Sequence, residues 1–170
     1  IERSAPIVGG LADGMPAAEA AIAWDAPPPA GVPATPRLLP GDRLLAIDGD
    51  AVESFENLKI ATLFADPGQV FTLRVERTRD GRSAGGMAEV PVAYRPSQFG
   101  GMPHFGIASA PRAVFSDEPP SGVTYADPFE GGDRIVRVGG APIEHGWQIA
   151  LAERDLAGRP VKIVVERGGR

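Results

Sequence analysis

The two histidines, His104 and His145, are the side chains best suited to metal or acid–base chemistry in a chain of 170 residues without cysteine. A hydrolytic zinc site needs imidazoles at helical spacing together with a carboxylate base, as in His-Glu-x-x-His. These histidines lie far apart in sequence, and each stands in a glycine-flanked turn. The sequence therefore predicts no metal site and no cofactor in this segment. His104 stays open as a loop residue that could contact a peptide terminus.

A serine nucleophile is not indicated either. Such a serine needs a positioned base and an oxyanion cradle, as in the Gly-x-Ser-x-Gly motif. That motif does not occur, and Ser121 stands between a proline and a glycine, which is typical of a turn. Neighbouring carboxylates such as Asp117 and Glu118 have the pattern of surface charge. We therefore predict no catalytic residue and no enzyme activity for this chain.

The charge of the protein limits the classes of partner that it can bind. The chain carries 17 basic and 22 acidic side chains, well mixed, and its formal net charge is −5. Binding of nucleic-acid phosphates needs a concentrated basic face, so this balance argues against a nucleic-acid surface. No apolar run approaches the roughly 20 residues that span a bilayer, so we expect no membrane insertion by this segment. Ile1 stands where Met would open a full-length protein, which indicates a segment of a longer one.

An internal repeat organises the chain. The run GDRLLAIDG from Gly41 to Gly49 recurs 91 positions later as GDRIVRVGG. Each copy continues with a helix-like stretch, a turn that contains proline and glycine, and a strand that contains Val-Glu-Arg. The helical stretches are 55–65 and 147–157, and the Val-Glu-Arg tripeptides are 75–77 and 165–167. Elements in the same order predict two copies of one structural unit.

Local patterns assign the elements of the first copy. Ser54 is a candidate N-cap for the helix, whose apolar residues recur near helical spacing. The β-branched and aromatic run 70–75 predicts a strand that returns through the turn 79–82 to a partner at 89–94. The second copy stops at Arg170, where its returning strand is expected to begin.

Two segments break the repeat. Six prolines between 24 and 40 predict an exposed extended loop, which could also be a ligand for a partner domain. The glycine pair within 97–103 predicts a hinge between the copies. The repeated aspartates Asp42 and Asp133 are expected to close turns through their own side chains and to pair with the neighbouring arginine.

The repeated unit resembles the PDZ domain of the bacterial, circularly permuted kind. The residues that carry the likeness are Pro16-Ala17-Ala18-Glu19-Ala20 and the run LPGDRLLAIDG that begins at Leu39, followed by the helix and the turn Pro67-Gly68. The second copy matches less well, because 118–130 does not have the short alanine-rich helix of the family. The resemblance implies an α+β fold of two PDZ-like, partly open β-barrels or sandwiches, each capped by helices.

The same resemblance implies a division of the chain. The first domain is expected at 1–96, with the proline-rich insertion 24–40 and without its N-terminal strand and loop. A linker at 97–103 precedes a second domain at 104–170, which is expected to be without its final strand.

The function implied by the resemblance is peptide binding in a groove between a sheet edge and the long helix. The implied peptide-binding residues are Phe105, Gly106, Ile107, Trp147, Leu151 and Arg154. The first three resemble the glycine-containing loop whose backbone N–H groups hold a C-terminal carboxylate. Phe105 and Ile107 could equally be core strand residues, and Trp147 could be a capping hydrophobe. The corresponding loop of the first domain is expected to lie outside the chain.

Tandem PDZ-like units occur in site-2 family intramembrane zinc metalloproteases and in high-temperature-requirement serine proteases. The opening Pro6-Ile7-Val8-Gly9 resembles the former. That likeness implies a non-catalytic peptide-binding or substrate-gating module of a membrane-bound regulated protease, on the extracytoplasmic (periplasmic) face. Its implied partners are an extended peptide or protein C-terminus and the parent's membrane protease domain, which would hold the zinc. Two alternatives stay open: the regulatory tail of a secreted serine protease, and a structural spacer with blocked grooves.

Overall fold

The computed structural model describes residues 6–95, 102–110, 113–115, 128–156 and 158–168, apart from the side chains of 95, 102, 103, 153 and 154. Two compact units make up the chain, 1–110 and 111–170. The predicted linker, 97–103, falls inside the first unit, and the division lies after Ala110.

The described part of the first unit alternates short strands with two helices. In chain order they are β1 (Val8–Leu11), α1 (Pro16–Glu19), β2 (Ile22–Trp24), β3 (Arg43–Ile47), β4 (Asp50–Ala51), α2 (Phe55–Thr62), β5 (Val70–Arg79), β6 (Arg82–Pro91), β7 (Ala93–Arg95), β8 (Met102–His104) and β9 (Ile107–Ser109). In the second unit they are β10 (Arg134–Val138), β11 (Ala141–Pro142), α3 (Trp147–Leu156) and β12 (Ile163–Glu166).

An antiparallel sheet of five strands, in the order β2-β6-β5-β3-β4, forms the centre of the first unit. Its longest pair is the β5–β6 hairpin, which turns at Asp80 and Gly81, both with positive φ. Such a two-residue turn matches the twist of the strands it joins. Alternation along β5 buries Phe71, Leu73 and Val75. The predicted hairpin and the α+β class are thereby confirmed.

The second unit repeats an irregularity of the first. Its described sheet is antiparallel in the order β11-β10-β12. The β3–β5 ladder of the first unit has a bulge between Leu44 and Ala46, and the β10–β12 ladder has one between Ile135 and Arg137. These positions are equivalent in the sequence repeat, so both copies place the same bend at the same residue.

A hydrogen bond at each bulge is also repeated. The carbonyl group of Leu45 accepts a bond of 2.9 Å from the N–H of Val52, and that of Val136 accepts one of 2.9 Å from Ile143. The repeat in the sequence therefore corresponds to a repeat in backbone structure, with strand, turn and following segment held alike.

Each copy begins with a short segment that forms a bridge to its strand after the Gly-Asp turn, and this explains where the units divide. Ile7 forms a bridge with Arg43, and Val114 forms the equivalent bridge with Arg134. Each copy thus opens with a short segment that precedes its Gly-Asp turn and lies beside the strand after it. The strand β9 pairs with β1, which makes it the last element of the first copy rather than the first of the second.

The proline-rich segment is more firmly held than predicted. Most of its residues are exposed, but Val32 and Leu38 are buried. The guanidinium of Arg77 donates hydrogen bonds to the carbonyl groups of Pro33, Thr35 and Arg37, at 2.8, 2.8 and 2.6 Å. The prediction of an exposed loop is therefore right for most residues of the segment and wrong for Val32, Leu38 and Pro40, which are buried.

The repeated aspartates pair with an arginine that sequence proximity did not indicate. Asp42 accepts two bonds of 2.7 Å from Arg77, and Asp133 accepts bonds of 2.6 and 2.7 Å from Arg167. Both arginines end the Val-Glu-Arg tripeptide of their copy. Asp42 also closes its own turn by accepting from the N–H of Leu39 at 2.9 Å, as expected. Each copy is therefore joined across its sheet by one bidentate ion pair.

The second ion pair makes the second unit sensitive to acid. Hydrogen bonds from Arg167 and then from the N–H of Glu130 lower the pKa of Asp133 from 3.8 to about 2. Because the folded pKa lies below the unfolded one, the stabilisation is complete above pH 3.8 and disappears as the pH falls toward 2. We expect the urea midpoint of the second unit, followed by Trp147 fluorescence in a Trp24→Phe background, to fall across this range. In Asp133→Asn that decrease should be smaller, and an equal decrease would contradict the assignment.

Candidate functional site

A single helix and the segment before β9 enclose a pocket in the first unit. Its volume is about 360 Å³. Six of its lining residues are apolar, and Thr62, Lys59 and His104 supply the polar atoms. The lining consists of Phe55, Leu58, Lys59, Ile60, Thr62, Leu63, His104, Phe105 and Ile107. The pocket therefore has the composition of a site for an apolar group, with few polar partners.

The helix α2 is fixed at its start and is anchored by one face. Ser54 is the N-cap, as predicted, and the side chain of Asn57 accepts a bond of 3.0 Å from its N–H. Phe55 and Leu58 are 5% and 4% exposed and pack in the core. The wall of the pocket that α2 forms is thus fixed in orientation, because rotation of the helix would expose its core side chains.

A second apolar face, formed by α2 and the turn that follows it, is left exposed. Ile60 is 65% exposed, Leu63 is 49% exposed and Phe64 is 89% exposed. These residues follow the i, i+3, i+4 spacing that places side chains on one side of a helical turn. Ile60 and Leu63 line the pocket, so its apolar surface continues outward along this face. These three residues were not among the predicted site residues, although their helical spacing outside the core-facing stripe is the signal that could have indicated them.

Backbone contacts hold the segment Phe105–Gly106 in place. The carbonyl group of Phe105 accepts a bond of 3.0 Å from Ala17 of α1, and that of Gly106 accepts one of 2.9 Å from Ala12. The Phe105 ring is 3% exposed and meets Phe71 edge to face, with ring centroids 5.6 Å apart. Phe105 is therefore a core residue, which is one of the two roles left open by its sequence, and its side chain also forms a wall of the pocket.

Gly106 is required by its conformation and its surroundings. Its φ is +85°, in the region that side chains other than glycine rarely adopt. A Cβ atom there would lie 2.3 Å from the Cβ of Met15. The turn before β9 thus depends on this glycine.

The ladder between β1 and β9 shows which way the peptide groups of β9 point. Leu11 is paired with Ile107. The N–H of Ala12, the residue after Leu11, donates a hydrogen bond to the carbonyl group of Gly106, the residue before Ile107. This pattern marks a pair that does not exchange hydrogen bonds directly. The N–H and C=O groups of Ile107 consequently point away from β1.

The peptide groups of Ser109, two residues after Ile107, have the same orientation. Val8 is paired with Ser109, and the N–H of Ala110 donates to the carbonyl group of Ile7 at 3.1 Å. The peptide groups of Ser109 therefore also point away from β1. Within the described residues β9 has β1 as its only strand neighbour. Its outer edge presents donors and acceptors at alternate residues, beside the pocket that Ile107 lines.

The predicted peptide-binding residues are divided between the units. Phe105, Gly106 and Ile107 lie in the first unit, beside α2, whereas they were expected to open the second. Short sequence similarity could not show that β9 pairs with β1. The first unit thus has a strand beside its long helix, although that strand was expected to lie outside the chain.

The other predicted residues belong to α3 of the second unit. Trp147 is half-buried, and its ring stacks on His145 at a centroid distance of 6.2 Å. Leu151 is half-buried on the same helix. The side chain of Arg154 lies outside the described part of the structure.

The described residues contain neither a cluster of metal ligands nor a helix that could cross a membrane. No three or more His, Asp or Glu side chains gather there in a way that could hold a metal ion. No helix of that part of the chain has the length and apolar character needed to cross a bilayer. Profiles of known protein families do not match the chain, and a search of curated proteins finds no significant relative.

Proposed function

We propose that this chain is a non-catalytic, peptide-binding module of two PDZ-like units, and that its first unit binds an extended peptide as an added strand on β9. The observation that supports this most directly is the open edge of β9 beside an apolar pocket. An extended peptide satisfies such an edge with its own main chain, and its alternate side chains reach the same face.

Main-chain bonds to Ile107 and Ser109 would fix the register of the peptide. Their N–H and C=O groups lie on one edge, two residues apart, which is the spacing of an antiparallel partner strand. One side chain of the peptide then enters the pocket between Leu63 and Ile107. Burial of an aliphatic or aromatic side chain there contributes about 1.5–3 kcal/mol, which is partly offset by ordering of the peptide.

An antiparallel peptide would have its C-terminal end toward the turn at Gly106. A glycine with positive φ lets successive backbone N–H groups converge on an anion, so this turn suits a terminal carboxylate. The groove strand follows the large sheet in sequence, whereas the resemblance predicted this strand at the start of the unit. We therefore assign the ligand as an extended peptide or protein C-terminus.

In its parent protein the module would hold or screen substrates for a membrane-bound zinc metalloprotease on the periplasmic side. This assignment follows the likeness of Pro6-Ile7-Val8-Gly9 to the first PDZ unit of site-2 family proteases. The coding sequence on either side tests it. Membrane helices with His-Glu-x-x-His are expected, and an upstream trypsin-like domain would replace this parent by a secreted serine protease.

The peptide-binding proposal is tested by NMR titration of the isotope-labelled chain. The probes are free-C-terminal peptides with an apolar last residue and their amidated twins. We expect shifts concentrated at Phe105–Ser109 and along α2, weakened by amidation. Shifts nowhere, with any of the peptides, would instead favour a spacer that acts by bulk.

A paired substitution locates the binding face. Leu63→Gln should weaken peptide binding several-fold, because it places an amide in the apolar wall while its 49% exposure keeps folding intact. Met87→Gln is the matched control, since Met87 is 47% exposed on β6 and does not line the pocket. Calorimetric titration of both variants with one peptide provides the comparison. Equal affinities would place binding elsewhere.

A further inference from the structure

We infer that the second unit accepts an extended polypeptide strand along the open edge of β12, and that this strand has small side chains toward the core and an acidic residue opposite Lys162. The edge of β12 lies in a different unit from the pocket and from β9. This inference therefore goes beyond the proposed function and does not depend on it.

The strand β12 occupies the place in the second unit that β5 occupies in the first. Ile163 is paired with Val138 of β10, and Leu73 is paired with Ile47 of β3. Ile47 and Val138 are equivalent in the sequence repeat, 91 positions apart. Both ladders also have their bulge at the equivalent residue. Ile163 consequently stands at the ladder position of Leu73.

This position is buried in one unit and exposed in the other. Leu73 is 0% exposed, whereas Ile163 is 39% exposed. Two residues further along, Val75 is buried and Val165 is half-buried. In the first unit β5 lies between β3 and β6, but β10 is the only strand that pairs with β12 among the residues that the structure describes. The second unit thus has exposed apolar surface at the edge where the first unit has β6.

The peptide groups of Ile163 point to this open edge. The N–H of Gly139 donates a hydrogen bond of 2.9 Å to the carbonyl group of Lys162. These two groups flank the pair of Val138 and Ile163, which therefore does not exchange hydrogen bonds directly. The N–H and C=O groups of Ile163 consequently point away from β10, and those of Val165 do so by alternation along the strand. An edge of this kind is a template for a further strand.

The strand that pairs with β5 shows which side chains fit such an edge. Ala88 of β6 is opposite Leu73, and Gly86 is opposite the buried valine two residues further along. Both residues of β6 are buried. Side chains this small leave room for the larger apolar residues of β5 in a close-packed core. We therefore expect small residues opposite Ile163 and opposite Val165.

A charged residue fixes the register of the added strand. Thr72, the residue before Leu73, is opposite Glu89 of β6. Lys162 stands at the position of Thr72 in the second unit, and it is exposed. Opposite charges in a cross-strand pair are favourable, and like charges are unfavourable. A strand with the sequence of β6 therefore places its small residues toward the core and its glutamate opposite Lys162, and a slip by one residue would reverse the two faces.

The experiment adds such a strand to the isotope-labelled full chain. The probe is a blocked peptide with the sequence of β6, acetyl-Arg-Ser-Ala-Gly-Gly-Met-Ala-Glu-Val-Pro-amide, which has no terminal carboxylate. We expect NMR shifts at Ile163–Glu166 and in the neighbouring strand β10. We also expect a higher urea midpoint of the second unit, followed by Trp147 fluorescence in a Trp24→Phe background, because the peptide binds the folded form. No shift in β12 at the solubility limit of the peptide would overturn the inference.

Reversal of charge tests the register. The twin peptide with lysine in place of glutamate should bind the wild type at least about threefold more weakly. In Lys162→Glu the preference should be reversed, and the fold should be kept, because Lys162 is exposed. The same preference in both proteins would overturn the assigned register and, with it, the inferred chemistry of the strand.

Two methylated peptides test strand addition with the wild type alone. One has an N-methyl group on the alanine that corresponds to Ala88, whose N–H is expected to point to Ile163. The other has it on the preceding methionine, which corresponds to Met87 and whose N–H is expected to point away from β12. The first methyl group should abolish binding and the second should be tolerated. Equal loss with both peptides would contradict addition of the peptide as a strand.

Discussion

Replacement of Arg77 by methionine is expected to lower the free energy of unfolding of the first unit by about 3–5 kcal/mol. Arg77 and Asp42 are both 0% exposed, and the arginine is the source of five hydrogen bonds. Methionine fills a similar volume but leaves the carboxylate of Asp42 charged, buried and without its counter-charge. It also frees the carbonyl groups that hold the proline-rich segment. Urea unfolding followed by Trp24 fluorescence in a Trp147→Phe background measures the change.

A neighbouring arginine on the same strand provides the control. Arg74 pairs with Asp25, and their side chains are 34% and 50% exposed. Arg74→Met should therefore reduce stability much less than Arg77→Met, because solvent screens an exposed ion pair. The double variant Asp42→Leu with Arg77→Met should be more stable than Arg77→Met alone, because it removes the unpaired charge. Similar losses for Arg74→Met and Arg77→Met would show that the buried pair does not carry the stabilisation assigned to it.

The ion pair between Arg77 and Asp42 shows a contact that the sequence predicted only in part. The repeat of Gly-Asp-Arg and Val-Glu-Arg was visible, and Asp42 was correctly expected to close its turn. Its partner was expected to be the adjacent Arg43, but Arg43 is opposite Glu76 in the β3–β5 ladder. That register brings the next residue of β5, Arg77, to the carboxylate. A strand register depends on pairing across the sheet, and local spacing does not specify it.

Elements with a strong local signal were predicted well. The β-branched and aromatic residues of β5 indicated a strand, and Ser54 indicated the start of α2. Both signals arise from residues close in sequence, so they can be recognised without knowledge of the tertiary structure. The strand beside the pocket, β9, has no comparable local signal. Ile107–Ser109 is too short for a periodic pattern, and its partner Val8–Leu11 lies at the other end of the unit.

The contribution of α2 to the site was missed for a related reason. Ile60 and Leu63 were not assigned to the groove, because the helical pattern was used to find the core and the implied site was placed on α3. Only the position of β9 beside α2 gives these exposed residues a role. The resemblance predicted a peptide groove, and the pairing of one short strand determined which unit contains the groove that we propose.

Replacement of Gly9 by alanine is expected to weaken peptide binding at least tenfold, because it separates β9 from β1. Gly9 occupies a bulge in this ladder, where a Cβ atom would lie 2.2 Å from the carbonyl oxygen of Ser109 and 2.3 Å from the Cα of Ala110. Both contacts involve backbone, so the strand itself must move. The edge of β9 and the turn at Gly106 would move with it, and the peptide would lose its main-chain partners.

The adjacent glycine offers a closely matched control. A Cβ atom on Gly10 would approach only the Cβ of Ala108, at 3.9 Å, which is an ordinary contact. Gly10→Ala should therefore bind peptide like the wild type, whereas Gly9→Ala should show at least a tenfold loss with the five-stranded sheet still folded. NMR spectra report the sheet, and calorimetric titration reports the affinity. Unchanged binding by a folded Gly9→Ala would mean that the peptide does not use the edge of β9, and the groove would have to be assigned to another surface.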